Sequence, residues 1–158
     1  KNPYTGILSI FSTRLRNGHD LLVFEDGRES RDFVYIDDVV AATVLAVEAP
    51  LEAEHGAAPA LALNVGSGVR TDVDTVARTL KTALKASGEI SVTGNFRIGD
   101  IRDNFADLTL ARACLGFEPK VDFVTGIARF VDWVQSQDVS VDGFERSIDE
   151  LKAKGLYR

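Results

Sequence analysis

Two arginines have the chemistry and the local setting to hold a small anionic ligand. Arg31 lies in the segment Arg-Asp-Phe-Val-Tyr-Ile-Asp-Asp, and Arg97 lies in Arg-Ile-Gly-Asp. Both stand in strand or turn sequence that could aim a guanidinium inward, and the planar fork of arginine N–H donors suits the oxygens of a diphosphate. The alternative for each is a surface ion pair with a nearby carboxylate, Asp32 or Asp100, and local sequence alone favours that alternative.

An apolar segment close to the first arginine could add a second kind of contact. Leu22-Val23-Phe24 could present backbone amides to the edge of a pyrimidine and an aromatic ring to its face. Packing in a hydrophobic core explains the same residues equally well. Residue chemistry alone therefore predicts a site for a small anionic ligand and does not identify that ligand.

Other kinds of functional site lack their usual residues. The two histidines, His19 and His55, are in loop-like sequence, and the single cysteine, Cys114, does not combine with them at the spacing of a metal site. Gly66-Ser67-Gly68 resembles a dinucleotide-binding turn, but Thr71 stands where the third glycine belongs, so a tight turn with positive φ is favoured. No tyrosine is followed four residues later by lysine. We therefore expect no catalytic, metal-binding or cofactor-binding residue on this chain.

Composition excludes two large classes of partner. The net charge is -6, and the 18 Lys and Arg residues are scattered, which argues against nucleic acid. The longest apolar run, 39–47, is far shorter than the roughly 20 residues of a membrane-spanning helix. One cysteine and no basic-then-apolar opening favour a cytoplasmic location. Because the sequence starts at Lys1 and contains no methionine, we interpret it as a fragment of a longer protein.

Apolar spacing predicts a helix and two strands at the start of the chain. Apolar residues recur every three or four positions over 5–17, and Gly18 follows as a stop signal, which is typical of an amphipathic helix. Two short strands, 21–24 and 31–35, are predicted on either side of a loop that contains an Asp-Gly turn.

The next predicted helix, 38–48, is apolar on nearly all sides. Asp37 is predicted to cap it. A helix of this composition is normally buried on several sides, so we expect it to need neighbours. A surface loop is predicted over 50–59, and a strand is predicted over 61–65.

The rest of the chain alternates helices with one further strand. Thr71 and Asp74 have the spacing of a capping box, which predicts a helix with an apolar stripe from Val73 to Leu84. The remaining predicted elements are a strand over 89–93, helices over 109–116 and 123–135, and a last amphipathic helix that includes Phe144, Ile148 and Leu151. Strands and helices are mixed throughout, so the predicted class is α/β or α+β.

Several of these segments together resemble the carboxyl-terminal portion of extended short-chain dehydrogenases that act on nucleoside-diphosphate sugars. The resemblance covers most of the chain and depends on ordered motifs at family-like spacing. They are Asn2-Pro3-Tyr4-Thr5-Gly6, Leu21-Leu22-Val23-Phe24-Glu25-Asp26-Gly27, Arg31-Asp32-Phe33-Val34-Tyr35-Ile36-Asp37-Asp38-Val39, Asn64-Val65-Gly66-Ser67-Gly68, and the block from Arg97-x-Gly-Asp100 to Ala106-Asp107. Ile98 stands where the family more usually has proline. Within the family, the sequence is most similar to thymidine-diphosphate-rhamnose and uridine-diphosphate-glucose 4-epimerases.

The resemblance implies a binding site for the nucleotide sugar. It assigns the diphosphate to Arg31 and Arg97, the base to Leu22 and Phe24, and the ribose or the orientation of Arg97 to Asp100, and it places Phe33, Val73 and Asn104 beside the same pocket. The implied fold is a small mixed sheet with helices that lacks most of the Rossmann sheet. Residues 1–138 would form the substrate-binding lobe and 139–158 a helical extension.

The resemblance also implies that catalysis belongs to an amino-terminal half. In the family that half is a Rossmann domain that binds NAD and carries the Tyr-x-x-x-Lys pair. The whole protein would remove a hydride to give a 4-keto sugar and return it, and it is expected to be a homodimer. Separated from that half, this chain would be inactive, would bind no NAD, and would expose an apolar patch around Val40, Val44 and Leu61. A 4,6-dehydratase lobe, a nucleotide sensor of the same descent, and a structural domain without a ligand are the alternatives.

Overall fold

The computed structural model describes residues 6–49 and 61–158. The predicted loop 50–59, with His55, and residues 2–5 lie outside them. The described residues form helices α1 (Ile7–Arg16), α2 (Ile36–Glu48), α3 (Val73–Leu84), α4 (Thr109–Leu115), α5 (Phe123–Gln135) and α6 (Phe144–Ala153), and strands β1 (Leu21–Val23), β2 (Ser30–Arg31), β3 (Thr71–Asp72) and β4 (Ile90–Val92). The mixed α/β class is confirmed.

The strands of the described residues form two small, separate pairs. β1 lies parallel to β4, with Leu21 opposite Ile90, whereas β2 lies antiparallel to β3, with Arg31 opposite Thr71. The predicted strand 31–35 is therefore wrong beyond Arg31, since the chain leaves its pairing partner there. The predicted strand 61–65 is also wrong, because it pairs with no strand among the described residues.

The main core lies between α1, α3, α5 and β1. These helices turn their apolar stripes toward one another and toward the buried strand, as the sequence periodicity predicts. The buried members of this core are Phe11, Leu15, Leu21, Val23, Val76, Ala77, Leu80, Ile127 and Val131. Val73 and Leu84 pack against its edge, so the predicted stripe of α3 is confirmed.

Helix α3 begins one residue later than the predicted capping box requires. Asp72 caps it, because its Oδ1 accepts a hydrogen bond of 2.6 Å from the amide of Thr75. Thr71 is buried in β3, where its backbone pairs with β2, and Asp74 forms an ion pair with Arg78 on the next turn. The prediction that Thr71 is the cap is wrong because pairing with β2 claims that residue for a strand.

The start of α2 also differs from its prediction. Tyr35 is the N-cap residue, and Asp37 lies in the first turn and makes no capping bond. Asp38 is only 3% exposed, and its carboxylate accepts hydrogen bonds of 3.0 Å from the amides of Lys120 and Val121. It therefore fixes the segment before α5 against the start of α2.

The rest of α2 has one buried residue. Ala42 packs into a second, smaller cluster with Leu108, Ala111 and Phe117. The opposite face is open: Val40 is 54% exposed and Val44 47%. Burial on several sides is therefore not achieved among the described residues, whereas the predicted exposure of Val40, Val44 and Leu61 is confirmed. No helix among the described residues is long and apolar enough to cross a bilayer.

Candidate functional site

The carboxylate of Asp32 joins three separate segments of the chain. Its Oδ1 accepts hydrogen bonds from the amide and hydroxyl of Ser67, at 2.7 and 2.6 Å. Its Oδ2 accepts from the amides of Gly68 and Ala106, at 2.9 and 3.1 Å. A single side chain thus ties the segment after β2 to the Gly-Ser-Gly turn and to the loop before α4.

The ionised form of Asp32 is stabilised by these donors. Burial on its own raises the pKa of the carboxyl, because a charge is less well solvated there. The hydrogen bonds from Ser67, Ala106 and Gly68 outweigh that effect and hold the pKa below its ordinary value. Asp32 therefore acts as a charged acceptor at neutral pH.

The Gly-Ser-Gly turn is shaped to fit this carboxylate. A Cβ atom at position 66 would lie 2.5 Å from Oδ2 of Asp32 and 2.6 Å from Cβ of Ala106, so only glycine fits. Gly68 has a φ of 71°, which confirms the predicted tight turn with positive φ. Because the amides of Ser67 and Gly68 donate to the carboxylate of Asp32, they do not suit the pyrophosphate of a dinucleotide.

Arg31 is held by backbone carbonyls rather than by a carboxylate. Its Nη1 donates to the carbonyl oxygens of Ser30 and Arg102, at 2.8 and 3.3 Å. It forms no ion pair with an acidic side chain of the described residues. The predicted alternative, a pair with Asp32, is wrong because that carboxylate is already occupied by four donors.

A cleft of about 400 Å³ opens beside this arginine. Its lining combines one cation, two side-chain amides, an aromatic ring and the carboxylate of Asp32, whose charge is taken up by four hydrogen-bond donors, so the guanidinium is the group that suits an anionic ligand. The lining residues are Arg31, Asp32, Asn64, Val65, Asn104, Phe105 and Ala106. The structure therefore brings the predicted Arg31 and Asn104 to one cleft.

Arg97 lies in a second group, with different neighbours. Its Nε is 3.4 Å from Oδ2 of Asp100, so the ion pair that the sequence suggested as the alternative is present. Its guanidinium carbon lies 5.4 Å above the ring of Phe24. This group unites three of the predicted residues, but among the described residues Arg97 and Arg31 have no bonding partner in common.

Comparison with known proteins identifies the kind of protein to which these two groups belong. Residues 1–66 match the model of the NAD dependent epimerase/dehydratase family. The chain is 36% identical over 137 residues to the dTDP-L-rhamnose 4-epimerase of Burkholderia thailandensis, covering 86% of this chain and 36% of that protein. This chain belongs to the NAD-dependent epimerase/dehydratase family.

Two further relatives agree with this assignment. The chain is 35% identical over 135 residues to the UDP-glucose 4-epimerase of Mycolicibacterium smegmatis, covering 84% of this chain and 40% of that protein. It superimposes with a TM-score of 0.72 and 33% identity on a Thermotoga maritima UDP-glucose 4-epimerase crystallised with UDP-glucose, covering 85% of this chain and 41% of that one. The chain thus spans about 40% of the length of these relatives.

The other site residues implied by the family resemblance lie nearer the core. Leu22 is half-buried in β1, opposite Ser91. The ring of Phe33 packs against that of Phe123, with 5.3 Å between centroids. Val73 packs on the main core. These contacts are those of packing residues, and their role toward a ligand stays a prediction.

An ionic cluster around Arg102 contains none of the site residues that the family resemblance implied. Its guanidinium donates two hydrogen bonds of 2.8 Å to the carboxylate of Asp26 and single bonds of 3.2 and 3.3 Å to Glu25 and Glu29. The bonds from Arg102 to Asp26, with the bond from the amide of Arg28, lower the pKa of Asp26 to about 2, whereas burial raises the pKa of Glu29. The Gly-Asp-Ile-Arg segment was the available signal for this cluster.

The Arg102 cluster has a structural consequence for the cleft. The cluster fixes Arg102, whose backbone carbonyl accepts a hydrogen bond from Arg31. The next residue, Asp103, accepts a hydrogen bond of 2.6 Å from the hydroxyl of Ser30. Arg102 forms ion pairs with three acidic side chains, and their negative charges offset its positive charge toward an anionic ligand. In the part of the chain that the structure describes, no three acidic, His or Cys side chains form a metal-binding group.

Proposed function

We propose that this chain is the nucleoside-diphosphate-sugar-binding part of an NAD-dependent sugar-nucleotide 4-epimerase. The observation that carries the proposal is the guanidinium of Arg31. It is positioned by two carbonyl oxygens, has no carboxylate partner among the described residues, and lines a cleft with Asn64 and Asn104. A guanidinium positioned in this way can bind phosphate oxygens without first breaking an ion pair.

The names of the relatives support the choice of ligand. A Thermotoga maritima relative was crystallised with UDP-glucose, and MoeE5, which is 27% identical with a TM-score of 0.68, with UDP-glucuronic acid and NAD. We infer that the diphosphate of such a ligand lies against Arg31 and Arg97, that Leu22 and Phe24 line the base, and that Asp100 contacts the ribose or orients Arg97. Phe33, Val73 and Asn104 complete the proposed pocket.

Hydride transfer is proposed to belong to residues outside this chain. The sequence contains no Tyr-x-x-x-Lys pair, and its Gly-Ser-Gly turn closes around Asp32. When bound, NAD would accept and return the hydride of the sugar. This chain would contribute only the positioning of the sugar nucleotide, which is a large part of catalysis in a reaction of this kind.

The open face of α2 supports the existence of a partner domain. Its exposed valines, Val40, Val44 and Val47, form an apolar stripe of a kind that normally packs against another element. We propose that the cofactor-binding half of the same protein covers this stripe. The full-length protein is proposed to be a homodimer.

Calorimetric titration with uridine diphosphate and thymidine diphosphate tests the proposal. Arg31→Ala removes a charge-assisted contact worth about 1.5–3 kcal/mol, so the affinity should fall roughly 10- to 150-fold. Arg97→Ala should weaken binding as well, by less, because Asp100 already neutralises part of its charge.

Arg146→Ala is the matched control, because it removes the same charge from an exposed position on α6, where Glu150 is the one ion-pair partner of Arg146 among the described residues. Its affinity for either diphosphate should equal that of the unmodified chain. Equal affinities for the unmodified chain, Arg31→Ala and Arg146→Ala would disprove a site at Arg31. No binding to the unmodified chain would disprove the proposed function.

Two alternatives of the same descent have different catalytic halves. A 4,6-dehydratase would use the same nucleotide site, and a nucleotide sensor would lack the catalytic pair. Reading the encoding gene separates the sensor from the enzymes: a Gly-x-x-Gly-x-x-Gly turn and a Tyr-x-x-x-Lys pair support an enzyme, and their absence supports the sensor. Product analysis with a UDP-hexose or dTDP-hexose substrate then distinguishes an epimer from a 4-keto-6-deoxy sugar.

A further inference from the structure

The last three residues of the chain pair with the segment that carries Arg97. The amide of Phe96 donates to the carbonyl of Arg158 at 2.7 Å, and the amide of Arg158 returns a bond of 3.1 Å to Phe96. The amide of Ile98 donates to Leu156 at 3.0 Å. Arg97 and Tyr157 therefore stand opposite each other in a short antiparallel ladder.

A buried arginine anchors the segment that leads to this ladder. Arg14 on α1 is 6% exposed, and its Nε donates to the carbonyl of Asp20 at 2.8 Å. Its Nη1 forms ion pairs with Asp142 and Glu145, at 3.2 and 3.3 Å, and its guanidinium lies 4.3 Å above the ring of Phe144. These contacts hold the start of α6 against the main body of the chain.

The extension surrounds an aromatic side chain of the proposed nucleotide site. The rings of Phe24 and Tyr157 meet edge to face, with centroids 5.4 Å apart and planes at 70°. The ring centroid of Phe144 lies 6.3 Å from that of Phe24. The guanidinium carbon of Arg97 lies 5.4 Å from the ring centroid of Phe24. Phe24 is half-buried as a residue, so these neighbours do not enclose it completely.

We propose that Tyr157 is a positioning residue for the base of the bound nucleotide. Its ring fixes Phe24 in the orientation that a base would meet, so that the ring is already ordered before binding. This inference rests on the proposed function, because it needs a nucleotide beside Phe24. Ordering a contact in advance raises affinity, since less side-chain freedom is lost on binding.

The effect should be confined to the nucleoside end of the ligand. Arg31 and its cleft have no contact with Tyr157 among the bonds and ring pairs of the described residues. The backbone bonds of Phe96 and Ile98 do not involve the tyrosine side chain, and Asp100 pairs with Arg97 independently of it. Loss of the Tyr157 ring should therefore lower the affinity for a nucleotide more than the affinity for a free diphosphate.

Titration of Tyr157→Ala with uridine diphosphate and with inorganic pyrophosphate tests this selectivity. An aromatic pair is worth about 0.5–1.5 kcal/mol, so affinity for uridine diphosphate should fall about 2- to 12-fold, while affinity for pyrophosphate stays unchanged. Tyr157→Phe keeps the ring, and the hydroxyl of Tyr157 makes no hydrogen bond with residues 6–49 or 61–158, so this variant should bind both ligands normally. Trp133→Ala is the control, since it removes an exposed aromatic side chain on α5 that pairs with Phe130.

Each result separates the inference from the proposed function. If the unmodified chain binds no uridine diphosphate, the proposed function fails. If it binds and Tyr157→Ala binds equally well, only the inference fails. Equal losses for both ligands would also overturn it, because they indicate general destabilisation. Should Tyr157→Ala not fold, Tyr157→Leu keeps most of the apolar volume without the ring, and the same comparison of ligands applies.

Discussion

The main core and the open face of α2 use similar residues in opposite surroundings. Val76, Ala77 and Leu80 on α3 are fully buried, because α1, α5 and β1 cover the stripe from three directions. On α2, Val40 and Val44 are about half exposed although the helix is richer in apolar residues. Apolar composition thus indicates that a helix face tends to be buried. Whether it is buried depends on which other elements pack against it.

The comparison predicts a large contrast between matched truncations. Leu80→Ala leaves a cavity in a site closed on all sides and should lower the free energy of unfolding by about 2–5 kcal/mol. Val44→Ala removes methyl groups that already contact water and should change it by about 0.5 kcal/mol or less. Urea titration of both variants measures the difference. Similar losses for the two would mean that α2 is covered in solution by a second copy of the chain.

Much of the main core could be predicted from the sequence, because its signals are local. The stripe of α3 and the bounds of α5 follow from apolar spacing within a single element, and both are confirmed. The strand bounds could not be obtained in this way. Whether a strand continues past Arg31 depends on Thr71, some forty positions away, and no local pattern records that pairing.

The candidate site was predicted less completely than the core. Sequence reasoning selected Arg31 but gave it the wrong alternative partner, because adjacency suggested Asp32. That carboxylate is turned toward the amides of Ser67, Gly68 and Ala106, which only the folded chain brings together. Charges distant in sequence were missed for the same reason: Arg102 meets Asp26 across more than seventy residues.

A buried carboxylate connects α2 to the rest of the chain, and its loss sharpens the comparison. Asp38→Asn replaces an acceptor of two amide protons by a group that can accept through one oxygen only, so one amide of Lys120 or Val121 loses its partner. The expected cost is about 1–3 kcal/mol. Thermal unfolding followed by circular dichroism measures it.

Asp37→Asn is the matched control, because it changes the same functional group one residue earlier. Asp37 is exposed, and within the described part of the chain its one ion pair is with Arg129 at 3.3 Å, so its substitution should alter stability by about 0.5 kcal/mol or less. If both variants lose stability equally, the link from Asp38 to the segment before α5 contributes nothing specific.

Removing the exposed valines should affect dye binding to the open face of α2 more than it affects stability. Val40→Ser with Val44→Ser reduces the apolar area on the open face, so the variant should bind less of a dye that reports exposed apolar surface. Its free energy of unfolding should change by about 1 kcal/mol or less, since half of each side chain is already in water. Unchanged dye binding would place the open apolar surface elsewhere.

Acid should loosen the polar side of the molecule before the main core. The pKa of Asp26 is about 2 and that of Asp32 is also below its ordinary value, because hydrogen bonds favour their ionised forms. A carboxyl whose pKa is lower in the folded than in the unfolded chain stabilises the fold above the unfolded value, near 3.8, and that contribution is lost as the pH falls toward about 2.

Amide hydrogen exchange followed by NMR over that pH range tests the order of events. The amides of Ser67, Gly68 and Ala106 donate hydrogen bonds to Asp32. As the pH falls, their protection from exchange should decrease relative to that of Val76 and Leu80, after correction for intrinsic rates. Arg102→Gln removes the main cause of the low pKa of Asp26 and should move the acid transition to higher pH. Simultaneous loss of protection in both regions would show that the segments joined by Asp32 and the main core unfold as one unit, and that acid does not distinguish between them.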